Sequence, residues 1–184
     1  MDSRAPILLI AFLLLVPGEA RPEDVAVTVD NTPGDCGVHG TFVAAVPATI
    51  AWAVLTDYDS ISRFVKSMYS SRIEHGEDGR KLVRQDAVAS AFLVRRHMHV
   101  LLEIEEDPGH RIGFRDVLGK DFRSYVGAWK LSAVPGETKV EYELVAVPRS
   151  GVARALCRGM LHKAARDLLQ EVRAEMMRRT ALAR

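Results

Sequence analysis

Apolar residues return at every fourth position from Val152 through Met160 and Leu168 to Met176, with Leu161, Ala165 and Leu169 beside them. No other feature of the 184-residue chain constrains its fold as much. This spacing predicts one long amphipathic helix, from Gly151 to near Ala181. A helix draws most of its stability from packing its apolar face. The covering surface has to come from the residues before it.

There the period changes to two. Segments 68–75, 81–89, 91–106, 110–118, 121–134 and 138–147 alternate apolar and polar side chains, the pattern of strands with one buried face. Turn residues separate them, among them Gly76-Glu77-Asp78-Gly79, Asp107-Pro108-Gly109 and Pro135-Gly136-Glu137. The last strand is the cleanest, with Val140, Tyr142, Leu144 and Ala146 against Lys139, Glu141 and Glu143. Segment 91–106 is unusually long. One face carries Phe92, Val94, Met98, Val100, Leu102 and Ile104, interrupted only by Arg96. The other carries Leu93, Arg95, His97, His99, Leu101, Glu103 and Glu105. Earlier, 37–46 reads as a strand and Pro47 opens a helix over 48–55. Thr56-Asp57-Tyr58-Asp59-Ser60 breaks that helix, and 61–65 forms a second short one. Residues 25–29 alternate too, as an edge strand or an ordered arm.

A sheet with one apolar face and a helix with one apolar stripe bury each other. The predicted class is α+β, a helix grip. In it a curved antiparallel sheet of about six to seven strands wraps the long C-terminal helix, with two short helices after the first strand.

The N-terminus reads as a secretory signal. Arg4 precedes an uncharged run over 7–16, Pro17 breaks it, and Gly18-Glu19-Ala20 places small residues where a signal peptidase reads. The run is about half the length of a membrane span, so an uncleaved anchor is the lesser alternative. Residues 1–20 are thus expected to be removed, 21–36 to form a polar arm, and 37–182 to form the domain. The protein is expected to be exported, periplasmic or secreted. In such a compartment Cys36 and Cys157 can pair. The alternative is two half-buried thiols.

Formal net charge is +1, from 25 basic and 24 acidic residues. No basic run is interleaved with aromatics, so no nucleic-acid partner is expected. There is no phosphate loop, nucleophile motif or zinc spacing, and no cofactor is expected.

Two segments carry a family resemblance. The first is "VAAVPATIAWAVLTDYDSISRFV", a strand, a turn and a helix pair. The second is "VLLEIEEDPGHRIGFRDVLGKDFRSYVGAWKLSAVPGETKVEYELVAVP", with Gly127 and Trp129 in a G-x-W pattern and Asp121-Phe122 before it. Lys120 separates Gly119 from that aspartate, where the family pattern has glycine directly before it. Over residues 38–179 the chain resembles the polyketide cyclase/dehydrase and coenzyme-Q-binding family, also described as START-like, SRPBCC or Bet v 1-like. The resemblance implies a START-like fold with a deep apolar tunnel. Its members bind lipids, quinones, sterols or polyketides, and only some are enzymes. It therefore implies a carrier or binding protein for a hydrophobic small molecule, with an aromatase/cyclase acting on a polyketide-like substrate as the alternative.

The residues expected to line such a cavity are Gln85, Phe92, Arg96, Met98, Tyr125, Tyr142, Leu156 and Met160. Gln85 and the tyrosines would supply the few polar contacts that orient an apolar ligand. Arg96 breaks an apolar face. It would pair with Asp86 or Asp116, meet an anionic ligand head, or bend out to solvent. His97 and His99 share a face, but a metal site needs a third ligand, and solvent-facing histidines are the simpler reading. Glu103, Glu105 and Glu106 read as a solvated edge. No catalytic or metal-ligating residue is assigned. The chain is expected to be a monomer. The arginines of the last helix offer a transient contact with an anionic membrane surface, although interleaved acids favour a solvated face.

Overall fold

The computed structural model describes residues 25–30, 36–76, 79–91, 94–149 and 151–183, and the side chains of all of these except 89, 91, 94 and 151–158. The strands are β1 (Ala26–Val29), β2 (Cys36–Ala44), β3 (Met68–His75), β4 (Lys81–Ala91), β5 (Val94–Asp107), β6 (Arg111–Asp116), β7 (Phe122–Val134) and β8 (Glu137–Pro148). The helices are α1 (Ala48–Leu55), α2 (Ile61–Phe64) and α3 (Gly151–Leu182). A tighter helical turn at Tyr58–Ser60 separates α1 from α2.

All eight strands form one antiparallel sheet in the order β1-β2-β8-β7-β6-β5-β4-β3. From β3 to β8 each strand pairs with its neighbour in sequence, as short turns require. The exception is the passage from β2 to β3, which crosses from one side of the sheet to its far edge and carries α1 and α2. This is the predicted helix grip with one more strand than expected. Residues 26–29 pair with β2 from Ala26↔Thr41 to Val29↔Val38. Val25 is buried in the core and Val27 and Val29 pack against it. The expected domain start at 37 therefore falls inside the sheet. The proposed signal lies outside the described residues.

Cys36 opens β2, is buried, and is disulfide-bonded. The side chain of Cys157 lies outside the described residues. Among the described residues no helix is long and apolar enough to cross a membrane.

The core is the space between the sheet's inner face and α3. Strand β8 shows the alternation its sequence predicts: Thr138, Val140, Tyr142, Leu144 and Ala146 are buried and their neighbours less so. On α3, Leu169 and Met176 are fully enclosed. Gly40 sets how closely the helix approaches. A β-carbon there would lie 2.3 Å from Leu169 Cδ1, so any larger residue would force that side chain or the helix to shift.

Polar contacts pin the second half of α3. Arg173 Nε donates to the Val43 carbonyl at 3.0 Å. Arg179 bridges Glu175 at 2.7 Å and Asp57, before α2, at 2.8 Å. Glu175 is 7% exposed, and its hydrogen bonds from Arg178 and Arg179 outweigh burial and hold its carboxyl down at about 2.

The sheet is interrupted beside β5. β5 pairs with β6 only from Leu102↔Asp116 to Asp107↔Arg111, so the first half of β5 outruns its neighbour. There carboxylates replace the missing strand. Asp116 accepts the Leu101 N–H at 3.0 Å, and Asp121 accepts the His99 N–H at 2.8 Å.

Candidate functional site

The helices and the inner face of β4–β8 enclose a slot of about 110 Å3. The helical side carries Val54 and Leu55 of α1, Ile61 and Phe64 of α2, Leu168 and Val172 of α3, and Tyr58 between the short helices. The strand side sets the rings of Phe114, Tyr125, Trp129 and Tyr142 beside the aliphatic Leu102, Ile104 and Ile112. The rings form a continuous surface. Trp129 and Tyr142 lie 4.5 Å apart by ring centroid, Phe114 and Tyr125 6.0 Å, and Phe114 and Tyr142 6.2 Å. Contacts of this kind add to the burial energy of each ring.

Register explains this surface. Trp129 pairs with Tyr142, and Gly127 stands between Phe114 of β6 and Leu144 of β8. A β-carbon on Gly127 would lie 2.4 Å from Phe114 Cζ and 2.3 Å from the Glu143 carbonyl oxygen. The Phe114 ring therefore takes the space a β7 side chain would occupy. This gives the G-x-W pattern a physical role: glycine lets one ring lie across β7, and tryptophan supplies the next.

Four polar side chains face the slot. Burial pushes the Tyr125 hydroxyl up to about 12, against the opposing pull of the Tyr142 hydroxyl. Burial raises Tyr142 well above the ordinary tyrosine value, and the nearby Tyr125 raises it further. Both phenols stay protonated at neutral pH and can donate hydrogen bonds. Gln85 donates to Ser71 Oγ at 3.3 Å. Tyr58 donates to Glu106 Oε1 at 2.6 Å, and burial followed by this bond raises its pKa. Glu106 also accepts Lys81 Nζ at 2.7 and 2.8 Å. Burial pushes the Glu106 carboxyl up, but Lys81 and Tyr58 bring it below the usual range. These bonds tie the α1–α2 connection to β4 and β5. Among the described lining residues none carries a charge. A group buried here must therefore be neutral or bring its own counter-charge.

Of the residues proposed from sequence, Gln85, Tyr125 and Tyr142 come together in the slot. Met98 packs at the margin of the core without reaching it, and Met160 is buried outside it. Arg96 is exposed. Neither expected partner reaches it, because Asp116 accepts the backbone N–H groups of Leu101, Leu118 and Gly119. Asp86 is taken by His99 Nδ1 at 2.6 Å and Ser70 Oγ at 2.8 Å, with the His99 bond first in lowering its pKa. Phe92 and the side chain of Leu156 lie outside the described residues. Among the described residues no three His, Cys, Asp or Glu side chains gather as metal ligands.

The reading of Glu103 as a solvated edge is corrected. It is 9% exposed and held between Arg80, at 3.4 Å, and Arg115. Arg115 is its cross-strand partner on β6, so ion pairing rather than hydration offsets its burial. Sequence reasoning missed Phe114 and the α1 residues. Gly127 directly across from Phe114 was the available signal, but only a known register reveals it.

A sheet gripping one long helix, with an uncharged slot between them, is a helix-grip architecture. The sequence profile described as polyketide cyclase / dehydrase and lipid transport matches residues 35–177, and the chain belongs to this family. Solved structures share the fold. A STAR-related lipid transfer protein from Xanthomonas axonopodis is 18% identical, with a TM-score of 0.67 over 84% of this chain and 94% of that one. An aromatase/cyclase from Streptomyces sp. R1128 is 17% identical, with a TM-score of 0.66 over 79% and 95%. A START superfamily protein from Mycobacterium smegmatis is 15% identical, with a TM-score of 0.61 over 80% and 99%. No curated protein matches the sequence. Family and neighbours thus include both lipid-transfer and cyclase members.

Proposed function

We propose that this protein binds and carries a hydrophobic small molecule, with an uncharged, ring-bearing or branched portion held in the slot. The observation that carries this reading is an uncharged slot in which clustered aromatic rings and aliphatic side chains surround neutral hydrogen-bond donors. A flat apolar group would lie in the slot, and Tyr125, which accepts from the Tyr142 hydroxyl, would donate its own O–H to a carbonyl or ether oxygen on it. Lipid, quinone and isoprenoid-like molecules all fit that description. At about 110 Å3 the slot is smaller than the roughly 300–1,000 Å3 of sites for drug-sized ligands, so it takes part of such a molecule. Cyclisation needs a group that accepts a proton near neutral pH. The described lining offers phenols with raised pKa values and an amide, which supports carriage over catalysis. The N-terminal signal pattern supports export. Intact-mass measurement of the secreted chain should place its first residue after Ala20.

The test is binding of the neutral dye N-phenyl-1-naphthylamine, followed by fluorescence. Wild type should bind, and Leu168→Trp, which fills the slot from α3, should not. Extraction of protein from its native compartment should release an apolar compound. A dye that binds wild type and Leu168→Trp alike would rule out the slot. Turnover of a polyketide-like substrate, abolished by Tyr142→Phe, would favour the cyclase reading.

A further inference from the structure

A second hollow lies beside the slot, an open cleft of about 560 Å3. Lys66 and Tyr69 line it at the start of β3, Ser90 and Arg95 on β4 and β5, and Asp167 and Glu171 on α3. The two hollows are opposite sides of the same chain segments. Met68 faces the slot while Tyr69 lines the cleft, and Leu168 and Val172 face the slot while Asp167 and Glu171 line the cleft. On β3 this is the ordinary alternation of successive strand side chains. On α3 the slot residues Leu168 and Val172 directly follow the cleft residues Asp167 and Glu171, and Met68 and Leu168 on the slot side are half-buried.

The charges of the cleft are unevenly satisfied. Asp167 pairs with Lys163. Glu171 accepts the Lys66 backbone N–H at 3.1 Å and lies 3.9 Å from Lys66 Nζ. Arg95 has only a 3.5 Å contact from Nη2 to the Tyr69 hydroxyl. Both acids are thus neutralised within the protein, while Arg95 has no carboxylate partner among the described residues. The Lys66 side chain is 90% exposed and can turn to a second anion.

We propose that the cleft is a headgroup subsite for the molecule held in the slot, and that this molecule is an amphipath with an anionic head. Its apolar body passes between Met68 and Leu168, and its head stays in the cleft against Arg95 and Lys66. This rests on the slot reading above and extends it. The slot alone is too small for a whole lipid and rejects charge, whereas the adjoining cleft supplies both room and an unmatched cation. The arginine that meets the ligand is then Arg95, one position from the Arg96 singled out in the sequence.

Two dyes with one ring system separate these ideas. N-phenyl-1-naphthylamine is neutral, and 1-anilinonaphthalene-8-sulfonate adds an anionic group. Wild type should bind the sulfonate more tightly, and added salt should weaken that dye alone. Arg95→Glu should lower sulfonate affinity by about three- to tenfold and leave the neutral dye unchanged. Lys66→Glu should act in the same direction with a smaller effect. Melting temperature and circular dichroism should not change, since both side chains are exposed. Sulfonate binding insensitive to Arg95→Glu and to salt would overturn the headgroup subsite while leaving the slot standing. Equal losses for both dyes would also overturn it. Binding of neither dye to wild type would overturn the slot itself, and the subsite with it. A free inorganic anion competes only for the head, so phosphate should displace the sulfonate and not the neutral dye. Displacement of both would overturn the division of labour.

Discussion

The slot and the cleft lie back to back but are built from different materials. The slot is walled by residues that also form the core, and its shape depends on glycines at Gly40 and Gly127. Apart from the buried Val88, the cleft is walled by exposed or half-exposed side chains at the sheet edge and on the outer flank of α3. Changing the slot therefore changes the fold, while the cleft can vary with little structural consequence. Volume alone would favour the cleft as the binding site, but the chemistry divides the work between the two.

The largest expected effect lies deepest. Leu169→Ala should cost about 2–5 kcal/mol in chemical denaturation, because α3 is locked to Gly40 and cannot collapse into the space. Gly127→Ala comes next, at about 1–3 kcal/mol, by driving a methyl group into the Phe114 ring and the Glu143 carbonyl. Its melting transition should fall, and binding of the neutral dye with it. Tyr125→Phe removes the donor free to meet a ligand without removing the ring. It should weaken an oxygen-bearing ligand by about 0.5–1.5 kcal/mol while leaving a pure hydrocarbon unaffected in the same titration. The effect of acid is smaller. Glu175 has a folded pKa of about 2, below its ordinary value of 4.5. Its contribution is therefore present above pH 4.5 and lost as pH falls towards 2. Stability curves of wild type and Glu175→Gln should converge over that range, by up to about 1 kcal/mol given solvent screening. Arg95→Glu should move stability by no more than about 0.5 kcal/mol. If it destabilised the fold as much as Gly127→Ala, the contrast between the two hollows would fail.

Much of the fold was legible in the sequence because its periods were clean. The alternation of Val140, Tyr142, Leu144 and Ala146 and the stripe from Met160 to Met176 fixed which faces meet. The reading fell short where one residue's position depends on a distant partner. β1 was ambiguous because four residues alternating at a chain edge look alike whether paired or not. Alternation put Arg96 on an apolar face with a bend to solvent as the open alternative, and the exposed side chain follows that alternative, in the first half of β5 where β6 does not accompany it. Glu103 looked solvated because nothing local to it announces Arg80 or Arg115. Tyr125, Tyr142 and Gln85 were found by asking which polar groups fall on apolar faces. Phe114 was missed because an inward phenylalanine in the core and one lining a hollow have the same sequence signature.

Gly40 touches no part of the slot, yet the hydrogen it carries in place of a methyl group acts as a spacer for the whole grip. The helix is one rigid rod, so its standoff at Leu169 is inherited by Leu168 and Val172. A relative with alanine there would hold the rod farther from the strands and leave a wider hollow. Ligand size could thus be retuned from a position no ligand reaches.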